Sequence, residues 1–211
     1  MNFRVPLKPM VSRKNFSSFD LPTAFKYLGI KRLQPWVPEV QPQPLSAFLQ
    51  ERLRRLKRYF NLRGYEDSKK LIVDALCEEG IEGFETLKIW KGAALKSDRL
   101  NGNVDYLIAE NKEYLEAPFL CIVEAKKDDF EQGLAQCLVE MDACQWNNQQ
   151  INQTLTVFGI VTNGDGWQFY KFTSDRKIYE TELYGMVNLD LIIAILRHIF
   201  AQCETQLTEN L

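Results

Sequence analysis

Asp105 interrupts the apolar run Val104-Asp105-Tyr106-Leu107-Ile108, and Glu124 and Lys126 close the run Phe119-Leu120-Cys121-Ile122-Val123. Charges set against a core need partners or a metal, because desolvating an unpaired one is costly. Side chains alternate along a strand, so Glu124 and Lys126 share one face and Ala125 takes the other. If the two runs are antiparallel neighbours joined through 111–118, Asp105 reaches the same end of the sheet. Two carboxylates and one ammonium then converge.

That set suits a hard divalent cation such as Mg²⁺, which takes oxygen ligands in near-octahedral geometry. Asp105 and Glu124 would supply two ligands and the backbone carbonyl of Ala125 a third. Such a cation makes the water it holds a better nucleophile and stabilises charge on a phosphoryl oxygen. Lys126 would orient that water or neutralise the developing charge. The chemistry is phosphodiester hydrolysis, with Mg²⁺ as cofactor and Mn²⁺ as its substitute. Glu-x-Lys alone is common and is usually an exposed salt bridge. Here an aspartate in the preceding apolar strand and a helix after the motif give it more weight.

The elements that must hold these residues follow from periodicity and punctuation. Ser46 reads as an N-cap, with Leu49, Leu53 and Leu56 at helical spacing behind it. Arg52, Arg54, Arg55, Lys57 and Arg58 crowd that helix, either as a solvated face or as one turned to phosphates. A second helix spans about Glu66 to Glu79, closed by Gly80. Strand-like runs cover Ile89–Leu95, Val104–Ala109 and Phe119–Ala125. A helix over 129–146 follows, then strands at Thr154–Thr162, Trp167–Phe172 and Lys177–Tyr184, and a last helix over Leu189–Cys203. Asn163-Gly164-Asp165-Gly166 makes a hairpin turn. The Lys127-Asp128-Asp129-Glu131 patch is a solvated helix start. Trp167, Phe169 and Tyr170 read as core. The order implies an α/β core with a mixed central sheet flanked by helices.

Composition limits the alternatives. The chain has 211 residues, enough for one domain with extensions. Its five cysteines form no C-x-x-C pair and read as reduced, buried thiols. The single histidine, His198, lies in an apolar helical stretch and cannot share a metal with a second one. No apolar run suggests a membrane span and no signal peptide is read, so a soluble, cytoplasmic protein is expected. The net charge of −2 conceals an asymmetry: residues 1–70 carry 15 Lys+Arg against 5 Asp+Glu. That basic front third leaves room for nucleic acid. Prolines punctuate residues 1–44, which read as an irregular arm with apolar anchors such as Phe16, Phe19 and Trp36, packed on the domain or binding a protein partner. The expected division is the arm at 1–44, a basic helix at 45–63, the core at 64–187 and a C-terminal helix and tail at 188–211.

The stretch Gly102-Asn103-Val104-Asp105-Tyr106-Leu107-Ile108, followed by Val123-Glu124-Ala125-Lys126, resembles the PD-(D/E)XK nuclease signature. More narrowly it is similar to the nuclease domain at the start of type I restriction-enzyme R subunits. Glu66-x-x-Lys69-Lys70-Leu71-Ile72 resembles that family's first-helix pattern. Gln136, between Ala135 and Cys137, resembles its glutamine on the following helix, and Ile160-Val161-Thr162-Asn163-Gly164 its strand ending in Thr-Asn-Gly. The resemblance covers about residues 64–175 and implies a restriction-endonuclease-like core. It implies metal binding by Asp105 and Glu124, catalysis by Lys126, support of the metal or its waters by Glu66, and contact of Gln136 with the substrate backbone or the site. DNA is the implied substrate, and a homodimer follows from the family's habit of double-strand cutting.

The sequence also departs from the pattern. Val104 stands where the motif proline would be, and Glu140 replaces the tyrosine often found one turn after the glutamine. No Walker A pattern and no translocase motor accompany the core, so a stand-alone or accessory relative is expected. The alternative is a catalytically silent nuclease-fold module that binds nucleic acid or protein. A third possibility is an enzyme acting on RNA or another phosphodiester.

Overall fold

The computed structural model describes residues 13–62, 64–126 and 129–209, with the side chain of Glu66 left outside that description. The first twelve residues of the expected arm, and Lys127 and Asp128 of the acidic patch, lie outside the described residues. The architecture is mixed α/β. Its large sheet joins β2 (Gln34–Pro35), β3 (Leu87–Lys91), β6 (Tyr106–Glu110), β7 (Phe119–Ala125), β8 (Val157–Thr162), β9 (Gly166–Phe172) and β10 (Ile178–Glu180) in the order β2-β10-β9-β8-β7-β6-β3. A short β11 (Tyr184–Gly185) adds to β9. Strand β7 is antiparallel to β6 and parallel to β8. A three-stranded sheet of β1 (Lys14–Asn15), β4 (Ala94–Lys96) and β5 (Leu100–Asn103) lies apart.

Helices cover both faces of the large sheet. Helices α2 (Ala47–Tyr59), α3 (Glu66–Ile81) and α5 (Leu189–Glu209) pack their Leu, Ile and Phe side chains against one face. Helices α1 (Leu21–Leu28) and α4 (Phe130–Gln150) cover the other. Strand β7 is buried throughout, so it reads as an unbroken apolar run and not as an alternating one.

Several elements differ from the sequence expectation, each for a local reason. The run Ile89–Leu95 divides at Gly92, whose φ of 66° turns the chain from the large sheet into the small one. Gly80 does not end its helix, which runs to Ile81. A Cβ there would lie 2.9 Å from Leu196 Cβ and 3.1 Å from the Phe200 ring, so this glycine lets α3 and α5 cross in contact. The described part of the proline-containing arm is ordered against the core. Asp20 caps α1 by accepting from the Thr23 amide at 2.8 Å, Pro22 sits in the first turn, and Phe16 and Phe19 are buried. The helix Met186–Glu209 is long and apolar enough to cross a membrane, which the apolar-run count had not anticipated. Its residues Ile192, Leu196 and Phe200 are buried in the core beside α3.

Candidate functional site

Register brings the candidate residues together. Tyr106 pairs with Val123 in the antiparallel β6–β7 ladder, and one step further Asp105 stands level with Glu124. The contact is direct: Ala125 N–H donates to Asp105 Oδ2 at 2.9 Å. Lys126 leaves β7 with its own N–H donating to the Thr162 carbonyl of β8 at 2.9 Å, which fixes the strand end. The other oxygen of Asp105, Oδ1, accepts from Lys70 Nζ at 2.8 Å. Lys70 reaches in from the first turns of α3.

Glu124 is fully buried, and its Oε1 lies 2.8 Å from Lys126 Nζ. The ammonium approaches at ion-pair distance without hydrogen-bond alignment, and neither Glu124 oxygen accepts a well-formed hydrogen bond among the described residues. Burial, and then the charge of Asp105, push the Glu124 carboxyl up to about 7.

Helix α4 closes the site from the other side. Gly133 packs against Lys126: a Cβ would lie 3.0 Å from Lys126 Cγ and 3.1 Å from Val161 Cγ1. Gln136 is buried, and its amide donates to Glu140 Oε1 at 2.9 Å. Its side-chain N–H is thus turned to Glu140, leaving Gln136 Oε1 and Glu140 Oε2 buried without partners among the described residues. Burial, and then the charge of Glu124, push Glu140 well above the usual carboxylate range. Three carboxylates, Asp105, Glu124 and Glu140, thus share their surroundings with two ammoniums, Lys70 and Lys126.

The donor set fits a hard cation. It offers carboxylate oxygens, two of them without aligned donors, and no sulfur or imidazole. Among the described residues no group of three or more His, Cys, Asp or Glu is arranged to hold a metal ion. Of the expected metal ligands, Asp105 and Glu124 lie side by side at this strand end, with Ala125 between Glu124 and Lys126. Glu66 begins α3, but its side chain lies outside the described residues.

Sequence reasoning did not assign roles to Lys70, Asp74 or Glu140 within a buried network. Tyr106 donates to Asp74 Oδ1 at 2.8 Å, and Lys91 Nζ lies 2.8 Å from Asp74 Oδ2. Lys69, one residue before Lys70, faces the turn after β8, with Nζ 3.3 Å from Asp165. His198 lies away from this set, its Nε2 at 2.8 Å from Gln202 Nε2. On α2, Arg52 pairs with Glu78, and Arg54 and Arg55 pair with Glu51. Much of the expected basic face is therefore neutralised within the fold.

No protein-family model matches the chain. One curated protein, Crinkler effector protein 5 of Phytophthora infestans, is 40% identical over 57 residues, a stretch that is 27% of this chain and 15% of that protein. The matched stretch is thus a small part of that protein's length.

Proposed function

We propose that this chain is a Mg²⁺-dependent nuclease with a restriction-endonuclease-like core, hydrolysing DNA phosphodiesters at Asp105, Glu124 and Lys126. The observation that carries the reading is Glu124, a fully buried carboxylate beside Asp105 whose oxygens lack aligned donors. Holding a buried carboxylate beside a partly buried one is unfavourable, and one ammonium on each leaves the Glu124 oxygens without an aligned donor. An ordinary core would place an apolar side chain at the end of β7. A divalent cation between Asp105 and Glu124 would polarise a phosphoryl oxygen and lower the pKa of a water.

The chain's own residues supply the rest. The water oxygen bonds to phosphorus and the bond to the leaving sugar oxygen breaks. One proton leaves the attacking water, and one is taken up by the leaving oxygen. Lys126, partly exposed at the strand end, places its ammonium where negative charge grows on the phosphoryl group. Gly133 and the Thr162 carbonyl hold Lys126 from its side chain and its backbone. Lys70 holds Asp105 in place from the opposite face.

The test is cleavage of plasmid and oligonucleotide DNA in Mg²⁺ or Mn²⁺, with Lys126→Ala and Asp105→Asn beside the wild type. Cleavage should require the metal and be lost in both variants. Cleavage that survives Lys126→Ala would contradict the assignment. A second reading, a silent binding module, is favoured by one observation: Lys70 and Lys126 already neutralise the carboxylates. It predicts nucleic-acid binding with no cut under any metal.

A further inference from the structure

A cleft of about 580 Å³ opens beside the site, lined by Lys57, Phe60, Asn61, Lys69, Gly164 and Asp165 among others. Two chain neighbours relate it to the catalytic end of the sheet. Lys69 on its wall is followed directly by Lys70, which holds Asp105. Gly164 in its lining lies two residues after Thr162, whose carbonyl accepts from the Lys126 N–H. Residues of the cleft lining are thus close neighbours in the chain of those that hold Asp105 and Lys126.

Phe60 lines the cleft, and two more exposed aromatics lie close to it in the chain. Tyr59, Phe60 and Tyr65 are 68%, 51% and 72% exposed, three large aromatics within seven residues at the junction of α2 and α3. A fold that buries Phe16, Phe158, Phe169 and Phe200 completely leaves these faces to water. The cations beside them are also distinct. Among the described residues Lys57 and Arg58 make no ion pair, in contrast to Arg52, Arg54 and Arg55 earlier on the same helix. Arg58 lies over the Tyr59 ring at 5.3 Å, and Lys69 is held at the cleft wall by Asp165.

We infer that this cleft binds single-stranded nucleic acid, and that the proposed nuclease therefore acts on an unpaired strand. The inference rests on the phosphodiesterase reading for its catalytic half only. Exposed aromatic faces can stack on bases only when those bases are not already stacked in a duplex, and flanking cations track the backbone phosphates. Two cations without ion pairs, on a chain of net charge −2, are few for holding a duplex through phosphates alone. Stacking lets a weakly charged groove hold a strand.

The experiment is fluorescence anisotropy in EDTA, where no metal-dependent cutting confuses the reading. The probe is a labelled DNA strand of about 16 nucleotides, the upper end of one site of this kind, against the same strand annealed to its complement. The full chain should bind the single strand at least 10-fold more tightly than the duplex. Phe60→Ala should weaken single-strand binding about 5-fold or more, and Phe60→Trp should retain it. Lys57→Ala should lower the slope of log affinity against log salt by about 0.7. Equal or tighter duplex binding, or a Phe60→Ala variant that binds like the wild type, overturns the inference. An RNA strand of the same sequence, run alongside, tells which polymer the cleft prefers. Because the readout is binding in EDTA, it does not depend on cleavage. A protein that binds the strand but never cuts refutes the nuclease alone; one that cuts but shows no strand preference refutes the cleft alone.

Discussion

Replacing Glu124 by Gln removes one buried negative charge with almost no change of shape. In the folded protein the carboxyl is pushed up to about 7, against an ordinary value of 4.5. That gap corresponds to about 3 kcal/mol of cost to the folded state once the group is ionised. The sign follows from proton counting. Between about 4.5 and about 7 the folded chain holds a proton that the unfolded chain has lost, so stability falls as pH rises through this window. Below it the cost is absent; above it the cost is complete. Glu124→Gln should therefore match the wild type near pH 5 and exceed it at pH 8 by up to about 3 kcal/mol. For a chain of this size that is roughly 6–12 °C in Tm. Lys126 is 24% exposed and can turn to water, so the loss of this one contact offsets little of the gain. The assay is thermal unfolding in EDTA at both pH values, repeated with Mg²⁺. Mg²⁺ should raise the wild-type Tm at pH 8, because it binds the folded state alone, and leave the variant unmoved. A variant less stable than the wild type at pH 8 would refute the claim that Glu124 is held as a strained carboxylate.

Other changes probe the same site from its neighbours. Lys70→Met leaves Asp105 without its 2.8 Å ion pair and should destabilise the metal-free protein at pH 8 by roughly 1–3 kcal/mol, with Mg²⁺ restoring much of the loss in a denaturant titration. Gly133→Ala puts a methyl group 3.0 Å from Lys126 Cγ; displacing that side chain should slow cleavage roughly 10- to 100-fold with little change in far-UV circular dichroism. All five cysteines are free and buried, and burial pushes the Cys77 thiol up to about 12, so a thiol reagent should titrate none in the native protein and five after denaturation.

The parts of the fold legible in the sequence were those whose pattern is local. Strands β7 and β8 announce themselves as unbroken apolar runs, α2 by its serine cap, and α4 by its length after the Glu-x-Lys end. The convergence of Asp105 and Glu124 needed only the assumption that consecutive strands pair antiparallel. The rest depends on contacts far apart in the chain. Lys70 reaches Asp105 across 35 positions, and which side of α3 meets the sheet is set by its packing against α5. In the sequence Glu140 shows only as a departure from the motif's tyrosine; that it is buried follows from α4 being buried on several sides. Strands β1 and β2, of two residues each, have no periodicity to read, and they form only because the arm packs where it does.

The central claim is that Asp105 and Glu124 together hold a divalent cation. Its most direct measurement is an anomalous-difference map from crystals soaked in Mn²⁺. A peak bridging the two carboxylates, with Lys70 and Lys126 moved off their 2.8 Å contacts, is the predicted result. A featureless map at that position, with both ammoniums still seated on their carboxylates, would contradict it.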